Sequence, residues 1–215
     1  MELLDVWPLH GLRLRTPDLE LRPATEADLP TLCAVLPPDL EADPAATRYP
    51  GLDDRSNHRV ILAQSYWRAM GSWSPQNWVL PFAVRHDGAL IGMQALEGPN
   101  WTVERTVDSW SWLVDGARGL GLGKQMRAAV LELAFTHLGA AAAVSSAGVD
   151  NAGSLGVSHS LGYADTHQTV LSHNNETLQH VRLEAAAWVS SGAGAVVQIE
   201  GVAPTLPFFG MGEGA

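Results

Sequence analysis

The stretch Arg118-Gly119-Leu120-Gly121-Leu122-Gly123-Lys124 puts glycine at every second position where a run of strand character gives way to helical spacing. Glycine lets the chain turn tightly and bring successive N–H groups to the surface with no side chain in the way. The helix expected next, Lys124 to Leu138, adds the positive end of its dipole to those unpaired donors. Such a turn suits an anion, a diphosphate above all, and Arg118 and Lys124 supply counter-charge. A Walker loop would need glycine at Arg118 and Ser or Thr at Gln125, while the dinucleotide fingerprint spaces its third glycine differently. Neither describes the stretch.

Working outward, Val107-Asp108-Ser109-Trp110-Ser111-Trp112-Leu113 lies upstream, and Asn151, Ser154 and Leu161-Gly162-Tyr163 lie downstream. The three pieces in this order resemble the GNAT N-acyltransferases. Arg118, Gly121 and Gly123 match that family's acyl-CoA pyrophosphate loop: Gln or Arg, two residues, Gly, one residue, then Gly or Ala. The upstream strand and the Asn-x-x-Ser start and Leu-Gly-Tyr end downstream are similar to its ribosomal-protein N-acetyltransferase (RimJ/RimL-type) branch. Asp87-Gly88, Gln94-Ala95-Leu96, Val107-Asp108-Ser109 and Met126-Arg127-Ala128-Ala129-Val130-Leu131 further resemble an actinobacterial subgroup that includes a succinyl-CoA-dependent member. The resemblance spans roughly residues 19 to 183. It implies an α/β (α+β) fold with a central mixed, mostly antiparallel sheet of about seven strands flanked by helices. It also implies acetyl-CoA or succinyl-CoA as donor, an amine acceptor (a small molecule or a protein N-terminus), and room for a homodimer or higher homo-oligomer.

Acyl transfer to an amine needs a held thioester, a base for the amine proton, donors for the oxyanion and an acid for the leaving thiolate. By resemblance, Arg118, Gly119, Leu120, Gly121, Leu122, Gly123 and Lys124 hold the pyrophosphate. The backbone of Trp112, Leu113 and Val114 pairs with pantetheine and offers an N–H to the thioester oxygen, and Asn151 and Ser154 join the cofactor-binding set. Two readings of Asp108 stand side by side: a partly desolvated base on the strand face of Trp110 and Trp112, acting through water, or a partner for Arg105 at a strand start. The family carries Glu where this chain has Asp. Ser154 is either the proton donor to sulfur or the cap of the helix that Asn151 introduces, and Tyr163 is either the rival acid or a core residue. Cys33 lies far from the motif, so the expected route is direct attack in a ternary complex rather than through an acyl-cysteine. The alternatives are a non-catalytic acyl-CoA-binding module and, more remotely, a nucleotide-binding protein.

Length and composition agree with an ordinary globular chain of 215 residues, read as one domain (1–215) with an arm over 1–18 and a C-terminal strand and tail over 192–215. A formal net charge of −10 argues against nucleic acid or an anionic membrane surface and favours a cationic amine. One cysteine leaves no internal disulfide and fits a reducing, cytoplasmic compartment; Met1 to Leu12 lacks the basic start and apolar run of a signal peptide, and nothing approaches a membrane span. The eight histidines show no paired ligand spacing, so no metal is expected.

Along the chain, Thr25 with Asp28 marks a helix over Glu26 to Val35, and helical spacing returns over Arg55 to Met70, where the GNAT resemblance implies much of the acceptor pocket. Arg48, Arg55, Arg59 and Arg68 gather there, either as a solvated helix face paired with Asp53 and Asp54 or with one of them reaching a carboxylate. Asp87-Gly88 closes a hairpin between Val79–His86 and Ala89–Leu96, and Thr102 to Val114 is expected as one long third strand. A buried strand (Ala142–Val149), a short helix (Ser154–Leu161), a hairpin (Tyr163–Ser172 with Thr177–Leu183), a helix (Glu184–Ser190) and a strand (Val196–Val202) complete the expectation. Of the tryptophans, Trp67, Trp73, Trp78, Trp101, Trp110 and Trp112 are candidates for an acceptor cleft or for core.

Overall fold

A computed structural model describes residues 1–40 and 46–212. In chain order its elements are α1 (Leu3–Val6), β1 (Arg13–Arg15), β2 (Leu19–Pro23), α2 (Leu29–Val35), α3 (Asp54–Gly71), β3 (Trp78–His86), β4 (Ala89–Gly98), α4 (Trp101–Glu104), β5 (Thr106–Val107), β6 (Ser111–Leu113), α5 (Leu122–Glu132), β7 (Ala142–Gly148), α6 (Ala152–Ser160), β8 (Ala164–Val170), β9 (Thr177–Glu184), α7 (Ala185–Ser191) and β10 (Gln198–Glu200). The strands form a six-stranded sheet, β10-β1-β2-β3-β4-β6, and a four-stranded sheet, β5-β7-β9-β8. All ladders are antiparallel except β5 with β7. The strand total exceeds the expected seven because the arm and the C-terminal segment each add a short strand and the long third strand is cut in two.

That cut is the main departure from the sequence expectation. Trp101–Glu104 is a helical turn between Asn100 and Arg105, both in the left-handed region. Thr106 and Val107 then pair with Ala142 and Ala143 of β7, whereas Ser111–Leu113 pair with Gly92–Gln94 of β4. The two sheets meet at an isolated bridge between Glu97 and Asp108. A side chain at Gly92 would collide with the Trp112 carbonyl oxygen, so glycine there lets the β6 backbone lie this close.

The alternation of β3 explains the layering. Trp78, Leu80, Phe82 and Val84 are buried in the core shared with α5, while Ala83 packs with Leu32, Leu62, Tyr66, Met93 and Trp112 under α2 and α3. Asp53 caps α3 through the Ser56 N–H (2.7 Å). The helix after the glycine turn begins at Leu122 and ends in a wider turn over Leu133–His137. The Asp87-Gly88 hairpin forms with positive φ at both residues (48° and 78°). The tail is more anchored than an irregular end. Trp73 Nε1 and Trp101 Nε1 donate to the Phe208 and Phe209 carbonyls (2.9 and 3.0 Å), and Trp73 and Trp78 pack on the buried Phe209 ring. No helix among the described residues is long and apolar enough to cross a membrane.

Candidate active site

Backbone parity defines the cleft. The Val114 N–H donates to Ile91 (2.9 Å), the Ala95 N–H to Trp110 (2.8 Å), and Asp108 and Glu97 exchange both bonds (2.9 and 2.8 Å). Antiparallel alternation therefore turns the polar groups of Asp108, Trp110, Trp112 and Val114 towards β4, and those of Ser109, Ser111 and Leu113 away from it. Ser145 Oγ of β7 donates to the Ser109 carbonyl at 3.2 Å, so the sheets still touch there. Past that point β6 stays with β4 and β7 stays with β9, and the two strands part. Of the expected trio Trp112 to Val114, only Leu113 turns its N–H to the opening; Val114 has spent its donor on Ile91.

Beside the opening, Gly119 and Gly121 hold φ of 73° and 80°, and an added Cβ on either meets nothing within 4 Å, so this turn faces free space. The Lys124 N–H bonds back to the Gly121 carbonyl (3.2 Å), which leaves the N–H groups of Leu122 and Gly123 at the helix start with no acceptor inside α5. Gly123 is placed differently from its neighbours: it sits in the first helical turn, where a Cβ would lie in ordinary van der Waals contact with Val157 of α6 at 3.5 Å. Arg118 is placed otherwise than expected. Its Nε donates to the Leu113 carbonyl (3.0 Å) and its guanidinium grips Asp39 at 2.6 and 2.9 Å, with Asp115 at 3.2 Å, so its charge is already matched. The donors that remain, a positive helix end and an open glycine turn, fit a diphosphate.

On the opposite face, between α3 and the six-stranded sheet, lies a cavity of about 410 Å³ lined by Leu36, Ile61, Leu62, Tyr66, Arg68, Met93, Glu97, Trp110 and Trp112 among others. Glu97 is the acid that sequence reading missed. It stands directly across from Asp108, and Trp110 Nε1 donates to it at 2.5 Å. Burial pushes the Glu97 carboxyl up, with the Trp110 bond opposing and Asp108 adding to the rise. Asp108 is likewise pushed up by burial, against the Ser109 N–H that donates to it (2.6 Å) and against the charges of Arg127 and His180. Arg105 does not pair with it: that guanidinium lies over the Trp101 ring, 5.0 Å from its centre. The only hint of Glu97 in the sequence is a lone acid at the end of an apolar run, which reads equally as a solvated strand end.

The cap of α6 is Asn151, whose Oδ1 accepts from the Ser154 N–H at 3.0 Å; Ser154 is the residue capped, not the one capping. Tyr163 is buried in the core shared with α5, where burial raises its phenol and Arg127 opposes the rise. Of the four arginines placed near the pocket, Arg68 lines it, while Arg48 pairs with Asp54 (3.1 Å) and Arg59 Nε donates to the Cys33 carbonyl (3.1 Å). Trp110 and Trp112 line the cavity; Trp73, Trp78 and Trp101 belong to the aromatic cluster over the tail; and exposed Trp67 donates to Glu26. His167 and His180 stack at 4.3 Å, and no group of three potential metal ligands occurs among the described residues.

Two comparisons bear on this arrangement. The model of the acetyltransferase (GNAT) domain matches residues 18–164. Among solved structures, Mycobacterium smegmatis RimJ in complex with CoA-disulfide superposes with a TM-score of 0.63 at 17% identity, covering 86% of this chain and 97% of that one. Spermidine N-acetyltransferase from Vibrio cholerae in complex with CoA and spermine gives 0.61 at 14% identity, covering 80% and 98%. At such identities the superpositions speak for the fold alone, and the domain match carries the family. With the strand split, the open glycine turn and the helix start all falling inside residues 18–164, this chain belongs to the GNAT acetyltransferase family.

Proposed function

We propose that this protein is an acyl-CoA-dependent N-acyltransferase that moves an acetyl or succinyl group to a cationic primary amine in a ternary complex. The observation that carries the reading is the two-sided opening between β6 and β7. It has a glycine turn and helix start on one side and, on the other, a cavity lined by the half-buried Glu97, which stands across a β-bridge from Asp108. Bound acyl-CoA supplies the activated thioester carbonyl. The turn at Gly119–Gly123 and the start of α5 hold its diphosphate, and the Leu113 N–H meets the thioester oxygen as charge builds on it. Glu97 and Asp108 draw the ammonium form of the acceptor towards the cavity, where it sheds one proton to solvent, and Asp108 takes the second through water as the neutral amine attacks. The amine nitrogen bonds to the acyl carbon, the carbon–sulfur bond breaks, and Ser154 or Tyr163 returns a proton to the thiolate. A cationic acceptor is the class named for the Vibrio cholerae enzyme of the same fold. Arg68 at the cavity wall keeps a carboxylated acyl chain in contention beside acetyl.

Calorimetric titration with acetyl-CoA, succinyl-CoA, free CoA and ATP, followed by an amine screen with free-thiol detection, tests this reading. Preference for one acyl-CoA with thiol release names the donor and the acceptor. Tight acyl-CoA binding with no thiol release for any amine favours a non-catalytic module, and ATP binding without CoA preference overturns the reading.

A further inference from the structure

Arg127 is the one charged residue among the described residues that is buried, at 3% exposure. It lies on α5 amid Met126, Ala128, Ala129 and Val130, in a core where an apolar side chain would cost less. Its Nε and Nη1 have no hydrogen-bond partner, and it takes part in none of the described ion pairs, which involve surface groups. The Ser109 hydroxyl and the Tyr163 hydroxyl are also buried without partners. The three belong to one place: the Tyr163 hydroxyl lies beside Arg127 and Ser109 without reaching bonding geometry with either. Ser109 is the last residue at which β7 still touches the strand, through Ser145. The cluster therefore sits at the apex of the opening, below the point where the strands part.

We propose that Arg127 is a positioning residue for the transfer, a buried cation that serves the base Asp108 and the acid Tyr163 from one place on α5. The inference rests on the acyltransferase reading above. In the step, the amine proton passes to the Asp108 carboxylate, which becomes neutral, while the Tyr163 hydroxyl proton passes to the CoA thiolate and leaves a phenolate. Negative charge thus vanishes from Asp108 and appears on Tyr163. The charge of Arg127 favours the anionic form of both, so its guanidinium answers one anion before the step and one after it. A guanidinium keeps its charge in a folded interior, which suits it to a fixed counter-charge better than lysine. The unpartnered donors are those expected of a group that must answer to two anions in turn.

The other charged groups that face these residues are Glu97 from β4 and His180 from β9, both towards Asp108; Tyr163 faces Arg127 and Asp108. The test compares the unaltered protein with Arg127→Met, Arg127→Lys and Tyr163→Phe, reading acyl-CoA affinity by calorimetry, thermal unfolding, and kcat/KM against pH. The same series in a His180→Gln background separates the histidine's own titration. For Arg127→Met we expect acyl-CoA affinity within about 3-fold of the unaltered protein, kcat lower by about 100-fold, and both limbs of the pH profile moved to higher pH, since each group loses the cation that opposes its burial. Arg127→Lys is expected to restore part of both. Tyr163→Phe is expected to lose the upper limb. A lowered kcat with unmoved limbs overturns the proposal. If Arg127→Met does not fold, a retained upper limb in Tyr163→Phe overturns it. Absence of acyl-CoA binding by the unaltered protein instead overturns the acyltransferase reading, and this inference with it.

Discussion

Asp108 and Glu97 face one another across a β-bridge, each pushed towards its neutral form by burial. A base needs a proton affinity near the working pH, and these raised values move Asp108 in that direction. Asp108→Asn should lower kcat by about 10² to 10⁴-fold while acyl-CoA affinity holds, as steady-state kinetics and calorimetry will show. Burial also costs stability. A carboxyl whose folded value is raised binds its proton more readily folded than unfolded, so stability falls as pH rises from its ordinary value through the raised one. Glu97→Gln should therefore melt higher than the unaltered protein at neutral pH and at about the same temperature below roughly pH 4, which thermal scans across pH will check. Glu97 was illegible in the sequence because a lone acid becomes a site only through its cross-strand neighbour. That neighbour depends on a register no local pattern encodes.

At the scale of elements, what could be read was what is local. The Asp87-Gly88 hairpin and the glycine turn follow from backbone conformations that few residues adopt, so their residue types announce them. The split of residues 106–113 does not announce itself. Its aromatic and β-branched residues suit a strand throughout, and the change of sheet is imposed by β7 on one side and β4 on the other. Similarly, Arg118 reads as counter-charge for a phosphate until Asp39, distant in sequence, takes its guanidinium. The β4–β6 contact makes a sharp prediction. Gly92→Ala forces a methyl group against the Trp112 carbonyl, so β6 must move. We expect a loss of about 1–3 kcal/mol in urea unfolding, with acyl-CoA affinity falling alongside as the Leu113 N–H shifts.

For the whole molecule, the net charge of −10 works in opposite directions on the two substrates. On the proposed reading it would attract a cationic amine and repel an anionic thioester, which would then have to be held by local backbone donors against the long-range field. Raising ionic strength from about 0.01 to 0.15 M shortens the screening length from about 30 to 8 Å. KM for a polycationic amine should then rise several-fold with kcat unchanged, and the affinity for acyl-CoA should not fall in parallel. Rate measurements at fixed pH over a salt series will check this. The pairing of β1 with β10 has a separate consequence for synthesis. Arg15 meets Glu200 across 185 residues of chain. At about 5–20 residues per second, the nascent edge of β1 waits on the order of 10–40 s for its partner to leave the ribosome. Arg13 and Arg15 flank the buried Leu14 on that strand, and charges on an open edge discourage pairing with a stranger. Arg15, which later settles against Glu20 and Glu200, and Arg13, which turns to the His10 and Leu12 carbonyls, thus guard, during birth, the place that β10 will take.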